Sequence, residues 1–379
     1  MPWKSKTPVD LRIEFMKRVM KGETVAELCR EFGISRKTGD KFKQRFKRLG
    51  EAGLLDLSRA PKVIPHRTPP EVVKLLIEER KRRPSWGPKK LKKTLEERLH
   101  CELPAVSTIG DILERAGLVM KRGRRTARPP QPTTLREALA PNDVWCIDYK
   151  GQFRLGDRSL CYPLTLTDQR SRYILGCEGM VAISDEEARE ACENIFGLYG
   201  LPKAMRSDNG VPFASTGLAN LTRLSAYWLQ LGIELERIRP AHPEENGQHE
   251  RMHRTLKFET TRPPRTNLLQ QQERFDEFVE EFNNQRPHEA LGMKRPAQVY
   301  KPSPRKLPAV LPELHYPQHD DITLVDKAGY ICFRRRRSYL STALAYQAVG
   351  LREEMDGRWL VTFAKLDLGH ADHTGFTPL

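Results

Sequence analysis

Three acidic residues stand in three separate runs whose lengths and flanks fit two strands and a helix, and nothing else in the 379 residues constrains the fold as much. The first run is Val144-Trp-Cys-Ile-Asp148-Tyr-Lys. At a period of two, Val144, Cys146 and Asp148 share one face and Trp145, Ile147 and Tyr149 the other, so Asp148 ends an otherwise buried strand. The second run, Ala204 to Asp208, stops at an Asn209-Gly210 turn. The third, Pro240 to Lys257, opens on turn residues (Pro240, Pro243, Asn246, Gly247) and becomes a run of helix formers. Asn246 or Gly247 serves as its cap, which puts Glu250 in the first turns, with Arg254 at i+4 and Lys257 at i+7 on the same stripe. Any one of these acids alone reads as a turn-forming Asx residue or a solvated helix face. Two strand-end acids followed by a helical one with bases beneath it ask for a common explanation.

The surrounding pattern is mixed α/β. Strands fit 144–150, 160–167, 172–179, 203–207 and 233–238. A helix fits Ser184 to Leu198, with Ser184 as cap and three acids in the first turn, where the helix dipole favours them. Another fits 218–231, with Leu221, Leu224, Trp228 and Leu231 on one face. Alternating strands and helices predict a layered fold.

The N-terminal third is helical. Within residues 9–49, Val25 and Leu28 sit on a helix, Gly33 makes a turn and Ser35 caps a second helix that exposes Arg36, Lys37 and Lys41. This is helix-turn-helix organisation, in which the second helix enters the major groove. Gly39 inside that helix is a poor helix former. A second helical module runs over 69–120. One helix starts at Pro69, another at Trp86-Gly-Pro-Lys-Lys-Leu, and Ser107 caps a third that ends near Gly117. Lys89, Ser107 and Thr108 are its candidate recognition positions. The Pro/Arg-rich linker at 121–141 offers Arg124 and Arg125 to a phosphate backbone or minor groove. The last segment is β-rich, with a hairpin signal at Asp356-Gly357, and a small barrel is expected. Arg334 to Arg337 lie between its strands as phosphate-gripping candidates.

Charge narrows the partner. Against 49 acids stand 65 Lys and Arg, a formal +16, which points to a polyanion. No stretch approaches eighteen apolar residues, so nucleic acid is expected and a membrane is not. No signal peptide is visible after Met1, and the seven scattered cysteines contain no Cys-x-x-Cys, which predicts reduced thiols in a cytoplasmic protein. Cys146 reads as strand packing and not as a nucleophile.

With these residues in view, a resemblance emerges. Trp-Cys-Ile-Asp148, Ser-Asp208-Asn-Gly-Val-Pro-Phe and His-Pro-Glu-Glu-Asn-Gly-Gln-His-Glu250-Arg-Met-His-Arg-Thr-Leu-Lys resemble the three acid-bearing motifs of the DDE transposase and retroviral-integrase superfamily. The match is best with bacterial insertion-sequence transposases that carry an integrase core. Tyr162 to Tyr173 resembles that core's second strand and turn, and Asn283 to Leu291 the segment that closes it. Trp86-Gly-Pro-Lys-Lys-Leu resembles the opening of a second helix-turn-helix in this group. Two departures stand out. The spacer from Asp208 to Glu250 is longer than the retroviral pattern, with Ser215 to Leu224 as the loop that holds the excess, and no paired His/Cys zinc module precedes the core.

The resemblance implies a multidomain α/β protein. A ribonuclease-H-like catalytic core at 142–302 would follow helix-turn-helix domains at 1–60 and 61–120 (the second winged-helix-like) and the 121–141 linker, with a small β-barrel at 315–379. Asp148, Asp208 and Glu250 would be both catalytic residues and metal ligands. Converging carboxylates repel, by roughly 4 kcal/mol per pair at 4 Å and an effective dielectric near 20. All-oxygen donors favour two Mg²⁺ ions, with Mn²⁺ as a substitute and Asp148 bridging both. Arg254 and Lys257 would hold DNA phosphates, with Asn246, Asn209 and His242 as weaker DNA-positioning candidates, while Asp168 reads as a turn residue outside the trio. The implied partners are double-stranded DNA, as element ends and target, and further copies of the chain, at least a dimer, in a bacterial, nucleoid-associated setting. The implied function is a transposase that binds terminal inverted repeats, cleaves the 3′ ends and joins them to target DNA by transesterification. The rival expectations are a catalytically silent DNA-binding regulator and a ribonuclease-H-like nuclease.

Overall fold

The computed structural model describes residues 6–58, 67–119, 135–239, 242–355 and 357–379. Arg124, Arg125 and Asp356 fall outside these residues. The chain divides into two compact units, Met1–Thr68 and Pro69–Leu379.

The first unit holds α1 (Pro8–Met20), α2 (Val25–Glu31) and α3 (Arg36–Leu49) around Phe15, Met16, Leu28, Cys29, Phe42 and Leu54. The turn between α2 and α3 uses Gly33 at φ 64°, and the Ser35 hydroxyl accepts from the Thr38 amide at 3.2 Å, which fixes the start of α3. Gly39 has a packing reason. A Cβ there would lie 2.4 Å from Cys29 Sγ and 3.1 Å from Phe15 Cζ. Gly39→Ala adds about 1 kcal/mol of helix propensity but overpacks a closed core, which costs about 1–3 kcal/mol. Net destabilisation is expected, read as a lower urea midpoint for this unit; a raised midpoint refutes the packing argument.

The second unit opens with α4 (Pro70–Arg82), α5 (Pro88–Leu99) and α6 (Val106–Arg115), packed around Leu76, Trp86, Leu91, Leu95, Ile109 and Leu113. α6 begins after Ala105 with no side-chain cap, so Ser107 sits inside the first turn and does not cap it. No strand lies among the described residues from 67 to 119. Trp86 anchors this module beside the core: Arg83 stacks over its ring at 4.3 Å and pairs with Glu79 and, at 3.3 Å, with Glu281.

A six-stranded sheet follows: β1 (Val144–Tyr149), β2 (Phe153–Arg154), β3 (Leu160–Asp168), β4 (Ile174–Met180), β5 (Ala204–Ser207) and β6 (Glu234–Arg237). β1 is central, antiparallel to β3 and parallel to β5, which is parallel to β6. β2 and β4 both pair with β3. Four residues of β1 from Val144 are fully buried, which is why the strand reads as a continuous apolar run. α7 (Asp185–Tyr199), capped by Ser184, and α8 (Arg223–Gln230) cover one face through Phe196 and Trp228. α9 (Gly247–Thr260) and α10 (Leu268–Asn284) cover the other through Met252, Leu256, Phe275 and Phe278. The helix expected at 218–231 is shorter. Ala219 and Asn220 adopt φ of 47° and 55°, which breaks the helical run, and Thr222 caps α8 afresh.

After the short α11 (Pro296–Val299) come β7 (Asp321–Leu324), β8 (Tyr330–Phe333), β9 (Arg336–Tyr339), β10 (Ala348–Glu353), β11 (Trp359–Phe363), β12 (Leu366–Ala371) and β13 (Phe376–Pro378). The expected barrel is not closed among the described residues. The sheet order is β13-β12-β11-β10-β7, and β8-β9 is a separate ribbon. A barrel would enclose its apolar side; here Leu221 and Ala226 of the core join Val349, Leu351, Val361 and Phe363 on that side, so closure is not needed to bury it. In the ribbon, Arg337 pairs with Asp326 at 2.5 Å and Arg334 with Glu353 at 3.6 Å.

Candidate active site

β1 delivers Asp148 to the end of the sheet. The parallel register sets Cys146 against Arg206; continued by two residues, it brings Asp208 alongside Asp148. Asp208 follows β5 directly, and its Oδ1 accepts from the Gly210 amide at 3.1 Å, so the Asn209-Gly210 turn also orients the carboxylate. Glu250 lies in the first turn of α9 and is exposed, as are Arg254 and Lys257 further along its stripe.

Electrostatics ties the acids together. Burial, and then the charge of Asp208, push the Asp148 carboxyl up from 3.8 to about 7; Glu250 adds to this and Lys150 opposes it. A carboxyl in this state favours a cation at its oxygens.

Sequence reasoning passed over three residues that hold Asp148. The Thr165 hydroxyl donates to the Asp148 carbonyl at 3.1 Å and also meets His249 Nε2 at 2.7 Å and His253 Nε2 at 2.6 Å. A hydroxyl has one proton, so with that proton spent on the carbonyl both imidazoles donate through Nε2–H. Thr167 then donates to His249 Nδ1 at 2.9 Å. Burial keeps both rings neutral, pushing His249 down to about 3 and His253 lower still. His253 Nδ1 is thereby a lone-pair acceptor, 3.6 Å from Asp148 Oδ2. Two acceptors across so short a gap are complementary to a shared proton or a cation. Asp148, His249 and His253 also form a group of possible metal ligands, although the hydroxyls already occupy both nitrogens of His249. The signal in the sequence was the i,i+4 pair His249/His253 on the buried side of α9.

The remaining candidates divide. Ser35, Arg36, Lys37, Lys41 and Ser107 are exposed and Thr108 is half-buried. Lys89 is exposed but pairs with Glu289 at 2.6 Å. Asn246 is buried, with Oδ1 unpartnered, which places it behind the helix start and away from solvent. Asn209 Nδ2 is occupied by the Ile238 carbonyl at 2.7 Å. Asp168 is a buried turn acceptor for Asn142, Ser171 N and Ser171 Oγ, at 2.7, 2.7 and 2.5 Å. Burial pushes the Cys146 thiol up to about 12, which suits packing and not attack.

Parts of the chain are similar to known proteins. Residues 138–243 and 231–296 each match an integrase core domain model, residues 11–62 a helix-turn-helix domain and residues 38–113 a homeodomain-like domain. The chain is 27% identical over 209 residues to the insertion element IS476 uncharacterized 39.2 kDa protein of Xanthomonas euvesicatoria, covering 54% of this chain and 58% of that one. It is 26% identical over 190 residues to the insertion element IS407 uncharacterized 31.7 kDa protein of Burkholderia multivorans, covering 49% and 66%. The chain thus spans less than two thirds of the length of these curated relatives. Among solved structures, the HTLV-2 integrase catalytic core domain in complex with magnesium aligns at 16% identity and TM-score 0.35, over 44% of this chain and 100% of that one. The chain carries an integrase core domain behind helix-turn-helix domains. Over that core it is similar to proteins of bacterial insertion elements. No described helix is long and apolar enough to cross a membrane.

Proposed function

We propose that the chain is the transposase of a mobile element: it binds the terminal inverted repeats, hydrolyses the phosphodiester at the 3′ ends and joins those ends to target DNA by transesterification. The observation that carries this is the convergence of three acids: the β1–β5 register brings Asp208 alongside Asp148, and, after burial, the charges of Asp208 and Glu250 both push the Asp148 carboxyl up. That raised value fits a divalent cation, because a doubly charged ion removes the repulsion that lifts it. Asp148, Asp208 and Glu250 would hold Mg²⁺, or Mn²⁺ in its place, and a pair of such ions supplies an activated oxygen nucleophile and stabilises the leaving oxygen.

The chain's own groups do the positioning. Asp148 and Asp208 come from adjacent parallel strands, so their spacing is set by the sheet. Glu250 enters from α9, one face of which is pinned by His249, Met252, His253 and Leu256. Arg254 and Lys257 project from the exposed stripe and would hold phosphates beside the scissile bond, with α3 reading base edges of the element end. Two ends joined in concert need two such sites, hence at least a dimer, acting on DNA of the bacterial nucleoid.

The test is strand transfer on a labelled duplex carrying the element end, with Mg²⁺. Glu250→Gln should lower joining by more than about 100-fold, since even outer-sphere partners of a metal are worth 10–100-fold. Duplex binding should persist. Equal activity in both proteins removes Glu250 from the mechanism. Binding without products from either would favour the regulator.

A further inference from the structure

On the side of α9 turned away from Glu250, a cavity of about 260 Å³ opens between the first turn of α5, α9, the segment after α10 and the β3–β4 turn. Gln248, Arg251, Met252 and Thr255 line it at i, i+3, i+4 and i+7. At about 100° per residue this stripe lies roughly opposite the one carrying Glu250, Arg254 and Lys257. The cavity therefore belongs to a different surface from the acids.

Its lining is cationic. Lys90, Arg172, Arg251 and Arg286 converge there from four separate elements, with His288 beside them. Among the described residues, carboxylates neutralise Arg286 but not the other three. Asp168 lines the cavity, but its oxygens accept from Asn142 and Ser171. Glu259 is taken by Arg286 at 2.9 Å and Glu289 by Lys89 at 2.6 Å. Among the described residues Lys90, Arg172 and Arg251 have no ion pair. The positive potential is felt locally. Burial, and then Arg286, bring the Lys90 ammonium down to about 8, against the opposing charges of Glu259 and Glu289. Burial, then Lys90, Arg286 and Arg172, bring His288 down to about 3. Two polar atoms in the lining, His288 Nε2 and Gln248 Oε1, are buried without hydrogen-bond partners among the described residues.

An ammonium and two unpaired guanidinium groups converging on one half-enclosed space are complementary to a phosphate, whose oxygens accept several charge-assisted bonds at once. The space also has a continuation. Gln169, Arg172, Gln248 and Ala290 are shared with a wider depression of about 850 Å³, where Arg136, Arg170, Arg206 and Lys294 outnumber Glu137 and Glu245. A single free anion does not need such a track, whereas a backbone of repeating phosphates does.

We propose that this cavity binds backbone phosphates of duplex DNA on the far side of α9 from the acids, with Lys90 of the second helical module and Arg172 and Arg251 of the core closing on the same strand. The site bridges module and core, so DNA bound there also holds α5 against the core. The inference rests on the reading of the chain as DNA-binding, but not on its catalysis.

The experiment uses the full chain and a duplex carrying the element end, with affinity measured across a range of salt. The triple variant Lys90→Gln/Arg172→Gln/Arg251→Gln should show a log–log salt slope shallower by about 2–3, at about 0.9 per phosphate contact. Lys90→Gln alone should shift it by about 0.9. The charge-retaining Lys90→Arg/Arg251→Lys pair should keep the wild-type slope. Circular dichroism melting separates a folded triple variant from a collapsed one; if it is collapsed, the Lys90→Gln result decides. Wild-type binding with the same slope in every variant overturns the site alone. Protection of the wild type, but not the triple variant, by inorganic phosphate, with an unchanged DNA slope, assigns the cavity to a free anion and overturns it too. Failure of the wild type to bind any duplex overturns the DNA-binding reading and the site with it.

Discussion

Asp148→Asn should abolish strand transfer and, in metal-free buffer, make the protein more stable. The two effects have one cause. Asp148 carries its charge at the end of β1, with 22% of its side chain exposed and with Asp208 and Glu250 adding to its repulsion. Its carboxyl rises from 3.8 to about 7 on folding. A raised acid costs stability when ionised. The folded state holds a proton that the unfolded state has already lost, so stability falls as pH rises from about 4 to about 7 and is level above that. At about 1.4 kcal/mol per unit, discounted for solvent contact, the penalty at pH 8 is about 2–4 kcal/mol. The neutral amide removes it. The difference between variant and wild type in urea unfolding should grow between pH 4 and 7 and then flatten. Mg²⁺ should raise the wild-type midpoint more than that of Asp148→Asn, because the ion binds the folded wild type preferentially. A variant that is less stable than wild type at pH 8, or that gains as much from Mg²⁺, contradicts the assignment of Asp148 as a destabilised metal-binding carboxylate.

Much of this architecture was legible because the relevant signals are local. Ser35, Ser184 and the Asn209-Gly210 turn mark element ends through hydrogen bonds made within three residues, and a short apolar run ending in an acid marks β1. What was not legible depends on distant packing. The break at Ala219 and Asn220 sits at the start of a run with apolar helical periodicity, and only the backbone angles reveal it. The open C-terminal sheet has barrel-like strands, but Leu221 and Ala226, over a hundred residues earlier in the chain, join its apolar side. Asp148 and Asp208 stand at strand ends that local pattern marks, whereas the contacts of Thr165 and His253 have no such mark. Thr165 stands inside an apolar strand, and its partners lie 84 and 88 residues away. Asn246 shows the reverse case: a polar residue at a helix start that reads as exposed is buried there at 5% exposure.

Thr165→Val is the second large effect, and it tests those overlooked partners. The substitution is nearly isosteric, so cavity formation contributes little. It removes the one acceptor shared by His249 and His253 and the donor to the Asp148 carbonyl. Both Nε2–H groups are then buried without partners, and each such group costs about 1–3 kcal/mol, so a loss of about 2–4 kcal/mol in unfolding free energy is expected. The functional loss should be separate from the stability loss. His253 Nδ1 faces Asp148 Oδ2 only while Nε2 is anchored, and a ring free to turn no longer presents that lone pair to the carboxyl. Strand transfer should fall by about 10–100-fold at temperatures where the variant is folded, the range typical of groups that orient a metal ligand. The Mg²⁺ concentration giving half-maximal joining should rise. Thr165→Ser restores the hydroxyl and should recover both. Recovery of stability with serine but not of the Mg²⁺ requirement would confine Thr165 to folding. A valine variant with unchanged Mg²⁺ dependence would show that the histidine pair packs α9 onto the sheet and does nothing for Asp148.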